Sequence, residues 1–111
     1  MEIKTTILKR CALIAIKGRI DSATAPKLKE EIEEVTEEGN FKLVIEMKEM
    51  DFMSSAGYWV LVNAQKKCKR FNRGEVYLAN VPTRIHDSLE MAGFIPYFKI
   101  FDDSTQAVGS F

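Results

Sequence analysis

Short apolar runs of strand length recur along this chain, and between them lie longer segments whose apolar residues repeat at three- and four-residue steps. Each period demands its own element: a strand turns alternate residues to opposite faces, while a helix brings every third and fourth residue to one face. Ala12-Leu13-Ile14-Ala15-Ile16 is apolar throughout, as a strand covered on both sides is. Ile3–Leu8 precedes it, joined by Lys9-Arg10-Cys11, and Gly18 is expected to end it. A helix follows, with Ser22 or Thr24 as its cap and Pro26 in its first turn, where a missing N–H costs nothing. Leu28, Ile32 and Val35 form its inward stripe, and Gly39-Asn40 closes it.

Phe41–Glu46 reads as the next strand, and Met47–Ser54 as a loop. A second helix spans Ser55–Phe71, with Gly57, Val60, Leu61, Ala64, Cys68 and Phe71 as one apolar face and Asn72-Arg73-Gly74 as its stop. Glu75–Ala79 is a strand. Pro82 opens a third helix that turns Ile85, Leu89 and Ala92 inward and ends at Gly93. Tyr97–Phe101 is a last strand, and Asp102-Asp103-Ser104 caps a short helix over Thr105–Val108. The reading is therefore α/β: one domain over residues 1–111, with a mixed, mostly parallel sheet of about five strands and about four helices. The first two strands are close enough in sequence to form an antiparallel edge pair instead.

Composition narrows the class of function. Sixteen basic and sixteen acidic residues cancel, so neither a nucleic-acid footprint nor attraction to an anionic membrane is expected. No apolar run approaches a membrane span, and Met1-Glu2-Ile3-Lys4 lacks the pattern of a signal peptide. A cytoplasmic protein is expected, with Cys11 and Cys68 as buried free thiols. His86 has only its helical neighbours Asp87 and Ser88 beside it in sequence, which do not face it, so no catalytic triad is expected. No His/Cys cluster has zinc spacing and no phosphate-cradling glycine loop is present, so neither metal nor cofactor is expected. The acidic run Glu30, Glu31, Glu33, Glu34, Glu37 and Glu38 and the basic run Lys66, Lys67, Lys69, Arg70 and Arg73 read as solvated helix faces, or as a bipolar surface that orients a charged partner.

The informative stretch is Met53-Ser54-Ser55-Ala56-Gly57, where two hydroxyls and two small residues crowd a helix start. The open amides and dipole of such a start favour an anion, including a phosphate carried on Ser55. Glycine at Gly57 admits close approach of another chain. The same residues also read as an ordinary cap, with Gly57 packing on the sheet. Tyr58 and Trp59 lie off the apolar stripe, and an exposed tryptophan there is a natural anchor for a partner.

Phe52-Met53-Ser54-Ser55-Ala56-Gly57, following Leu43-Val44-Ile45-Glu46, resembles the signature loop of STAS domains, the anti-sigma factor antagonists and their relatives. Gly18-Arg19-Ile20-Asp21, the run from Val81-Pro82 to Gly93-Phe94, and Phe98-Lys99-Ile100-Phe101-Asp102 resemble further family segments in the right order. The resemblance implies a protein that is not an enzyme. It implies binding to an anti-sigma factor that is also a serine kinase, release by phosphorylation at Ser55, and recovery by a serine phosphatase. The partner surface it implies is Asp21, Ser22, Ser54, Gly57, Tyr58 and Trp59, on a monomer or weak dimer. Ser54 stands where the family usually has Asp, Ala56 where Ser or Thr is common, and Tyr58-Trp59 where small or aliphatic residues are preferred. Those departures also fit a non-switching interaction subunit of a stress-signalling or ABC-transport complex. A small enzyme or nucleotide binder using the Asp21 and Ser55 loops is the third alternative.

Overall fold

The computed structural model describes residues 1–111. Its elements are β1 (Glu2–Ile7), β2 (Ala12–Ile20), α1 (Ala25–Glu37), β3 (Lys42–Met53), α2 (Ser55–Lys69), β4 (Glu75–Ala79), α3 (Thr83–Met91), β5 (Lys99–Phe101) and α4 (Ser104–Gly109). Short 3₁₀ turns follow α2 and α3. The five strands form one sheet in sequence order, β1-β2-β3-β4-β5. β1 pairs antiparallel with β2, and every other pair is parallel. The open choice for the first two strands thus falls to the antiparallel edge pair.

Three successive crossovers stepping the same way across a sheet, each right-handed, must lay their helices on one face. The core shows this: Leu28, Ile32 and Val35 of α1, Leu61 and Cys68 of α2, and Ile85 and Leu89 of α3 share one cluster with Ile14, Ile16, Leu43, Ile45 and Leu78 of the sheet. The opposite face is covered only by α4, whose Ala107 packs with Cys11, Val44, Tyr77 and Ala79. Asp103 caps α4 by accepting from the Gln106 amide at 2.8 Å. Both cysteines are free and buried. Burial pushes the thiol of Cys68 up to about 11 and raises that of Cys11 as well.

Several boundaries differ from the sequence reading. Gly18 does not end β2; it sits inside the strand with φ +94, and the strand continues to Ile20. Met47–Ser54 is not a loop, because β3 runs unbroken to Met53. The cause is two extra residues on β3: β2 advances two residues from Ala15 to Lys17 while β3 advances three, and one from Gly18 to Arg19 while β3 advances two. Each bulge turns an alternating period into a step of three. Met47, Met50 and Met53 therefore all point into the core. Ala92 is exposed just past α3, and Phe71 stands in solvent instead of closing the apolar face of α2. On α2 the buried face takes in Tyr58, Val62 and Gln65 instead, and Val60 is only half-buried. The Gln65 amide donates to the carbonyls of Val76 and Tyr97 at 3.0 and 2.7 Å and accepts from the Val76 amide at 2.6 Å, which satisfies the β4 edge where the short β5 has not yet begun.

Candidate functional site

The registered ends of β2 and β3 build the site. Ile20 pairs with Met53, and the Ser54 amide donates to the Ile20 carbonyl at 2.8 Å. The residues that follow, Asp21 on one strand and Ser54-Ser55 on the other, are thereby held side by side at the carboxyl end of the parallel strands. Loops at that end of an open α/β sheet are where ligands and partners most often bind.

Asp21 is spent on local order. Its Oδ1 accepts from the amides of Ala23 and Thr24 at 3.0 and 3.1 Å and from the Thr24 hydroxyl at 3.3 Å. The Asp21 amide in turn donates to Thr24 Oγ1 at 2.9 Å. The Thr24 amide first, then the Ala23 amide, the Thr24 hydroxyl and the nearby Arg19 charge, hold the Asp21 carboxyl below the usual carboxylate range. Arg19 Nε lies 3.6 Å from Asp21 Oδ2, and its guanidinium covers the ring of Phe52 at 4.8 Å. Thr24, not Ser22, is the residue before α1, and Ser22 is exposed.

At the mouth of α2, Ser54 is extended, with φ −82 and ψ 172, and its side chain makes no capping bond. Its Oγ points inward and is left without a partner, as is the hydroxyl of Tyr58 one turn on. No acidic side chain lies in the first turn. The Ser55 and Ala56 amides and the helix dipole are thus unopposed, while the Gly57 amide already donates to the Ser54 carbonyl at 3.0 Å, and Ser55 stands exposed at this end.

Two of the expected partner residues turn inward. A Cβ on Gly57 would lie 2.7 Å from both Ile20 Cγ2 and Met53 Cγ, so this glycine seats α2 on its own sheet and leaves no room for another chain. Tyr58 is 2% exposed and belongs to the core, packed 5.6 Å from the ring of Phe94. Trp59 is the exposed member of the pair, at 52%, with its ring edge-on to Phe94 at 5.4 Å. Ser55 and Trp59 are four residues apart and share a helix face. Arg19 and Phe52 also border the site. Phe52 was legible only as part of the signature loop, since its exposure follows from the bulge that turns Met53 inward.

No group of three or more His, Cys, Asp or Glu side chains is placed to hold a metal ion. Four hollows of the surface leave Ser55 out; one of them, lined by Glu2, Lys4, Lys17, Glu46 and Lys48 among others, lies across β1–β3. No helix is long and apolar enough to cross a membrane.

The fold is a parallel α/β sheet with an antiparallel edge strand and three helices on one face, and it carries an exposed serine at an uncapped helix mouth. The STAS domain family matches residues 2–107, and this chain belongs to that family. An anti-sigma-B factor antagonist of Listeria monocytogenes is 31% identical over 87 residues, 78% of this chain and 75% of that protein. Among solved structures, the anti-sigma factor antagonist SpoIIAA in its unphosphorylated form superposes with a TM-score of 0.83 at 13% identity, covering 98% of this chain and 95% of that one. The Bacillus SpoIIAA in its phosphorylated form gives a TM-score of 0.76 at 14% identity, with 98% of each chain covered.

Proposed function

We propose that this chain is an anti-sigma factor antagonist that captures an anti-sigma factor and is released from it by phosphorylation of Ser55. The observation that carries the reading is the exposed Ser55 on the uncapped first turn of α2, beside the ordered Asp21 turn. The names of the relatives support the class of partner.

The anti-sigma factor acts as the kinase. The γ-phosphoryl of ATP passes to Ser55 Oγ, the hydroxyl proton leaves and ADP departs. The new group carries about −1.5 to −2 charges at neutral pH. Within the chain it sits at a helix start that favours anions, so α2 is not weakened. Against a partner the same group must be paired or stripped of water. Leaving a buried charge unpaired costs about 3–5 kcal/mol, enough to dissolve a micromolar contact without any large rearrangement. Ser22, Trp59, Arg19 and Phe52 form the rest of the contact surface, and a serine phosphatase restores the binding form.

The test is incubation with the cognate anti-sigma factor and ATP, followed by intact-mass measurement and site mapping. One phosphate at Ser55 is expected. No phosphate, or one confined to another residue, overturns the switch.

A non-switching interaction subunit is the second reading. It is favoured by Ser54, whose inward, unpartnered Oγ leaves no carboxylate beside Ser55.

A further inference from the structure

At the far end of α2, Arg70–Asn72 form a 3₁₀ turn in which Phe71 has φ 60 and Asn72 φ 56. Two consecutive non-glycine residues in the left-handed region are uncommon, and for a bulky aromatic the conformation is costly. The cost gains no packing, because Phe71 is 79% exposed. Cations surround the ring: the guanidinium carbons of Arg70 and Arg73 lie 5.2 and 5.7 Å from its centroid. Arg73 is fixed in place, donating from Nε to the Arg70 carbonyl at 3.1 Å and from Nη2 to the Lys67 carbonyl at 3.0 Å, and it lies 3.9 Å over the ring of Phe41. Lys66, Lys67 and Lys69 add charge on the last turns of the helix. Of these cations only Lys69 is paired, with Glu75 at 3.9 Å. In a chain whose charges sum to zero, five cations thus gather within eight residues at the end that carries the exposed ring, against Glu75 on Lys69 and Glu33 beside Lys67.

We propose that this end of α2 is a second docking surface, for an acidic segment of a partner protein that carries an apolar side chain. Phe71 is the apolar anchor. Arg70, Arg73, Lys66 and Lys67 receive the carboxylates, and the charge complementarity selects the occupant and speeds its encounter. The rise of α2 separates this surface from Ser55 by roughly 22 Å, so both ends can be occupied at once. The inference does not depend on the Ser55 switch.

The test uses a fluorescein-labelled peptide of alternating Glu and Asp with one central Phe, and the same peptide with Ser in place of Phe, read by anisotropy. The Phe peptide is expected to bind about tenfold more tightly than the Ser peptide, and to weaken about tenfold between about 50 and 500 mM salt. The Phe71→Gly variant is expected to melt at a higher temperature, since glycine accepts the left-handed conformation, and yet to bind the peptide about tenfold more weakly. Ser55→Glu leaves peptide binding unchanged. The proposal is overturned by equal peptide affinity of wild type and Phe71→Gly, by a lowered melting temperature of Phe71→Gly, by absence of binding at millimolar peptide, or by single-stranded oligo-dT displacing the peptide at lower concentration than unlabelled peptide does.

Discussion

The Ser54 amide donates to the Ile20 carbonyl at 2.8 Å, and this one bond joins the ends of β3 and β2 immediately before Ser55 and Asp21. Gly57 completes the seat by letting the first turn of α2 rest on Ile20 and Met53. Replacing Gly57 by Ala gains about 0.5–1 kcal/mol of helix propensity but forces a Cβ into a packed contact, which costs about 1–3 kcal/mol. Urea denaturation of Gly57→Ala should therefore show a net loss of about 1 kcal/mol. A variant more stable than wild type would mean that the seat is loose.

Asp21 stabilises the fold as an anion, because its hydrogen bonds lower its carboxyl below the usual range. The sign follows: its contribution is complete above the unfolded carboxylate value, near about pH 4, and fades as pH falls through the lower folded value. Asp21→Ala should therefore be less stable than wild type at neutral pH, with the two stability curves converging at acid pH. Asp21→Asn, which keeps the Oδ1 acceptor, should lie between them at neutral pH. Parallel curves across that range would contradict the assignment.

Tyr58 and Trp59 are adjacent in sequence and opposite in burial. The Tyr58 hydroxyl is buried without a partner, so Tyr58→Phe should leave binding intact and be neutral or stabilising, by up to about 1 kcal/mol. Trp59→Ala exposes part of Phe94 and removes the anchor beside Ser55, so anti-sigma factor affinity should fall by about 1–3 kcal/mol while the fold persists. Calorimetric titration of both variants checks this. Weakened binding in Tyr58→Phe, or none lost in Trp59→Ala, would misplace the surface.

Much of this was legible in the residues. The all-apolar run from Ala12 to Ile16 and the three helical stripes defined an α/β sheet, although the run is not covered equally on both faces: Ala12, Ile14 and Ile16 are buried under the helices, while Leu13 and Ala15 on the other face are half-buried. The meeting of Asp21 with Ser55 came only through resemblance, since nothing in sequence spacing reports that Ile20 pairs with Met53. The carboxyl half of β3 was misread for a physical reason: bulges convert alternation into the step Met47, Met50, Met53, which looks like neither strand nor loop. Tyr58 and Phe71 exchanged places for another. The helix turns its broad side toward Phe94 at one end and unwinds into left-handed residues at the other, and a periodicity argument presumes neither.

The most direct test is the affinity of the cognate anti-sigma factor for wild type, Ser55→Ala and Ser55→Glu, measured alongside the melting temperature of each. The account predicts equal affinity for wild type and Ser55→Ala, and a loss of at least about 30-fold for Ser55→Glu, about 2 kcal/mol, with no fall in its melting temperature. Three equal affinities, or a loss in Ser55→Glu accompanied by unfolding of α2, would contradict it.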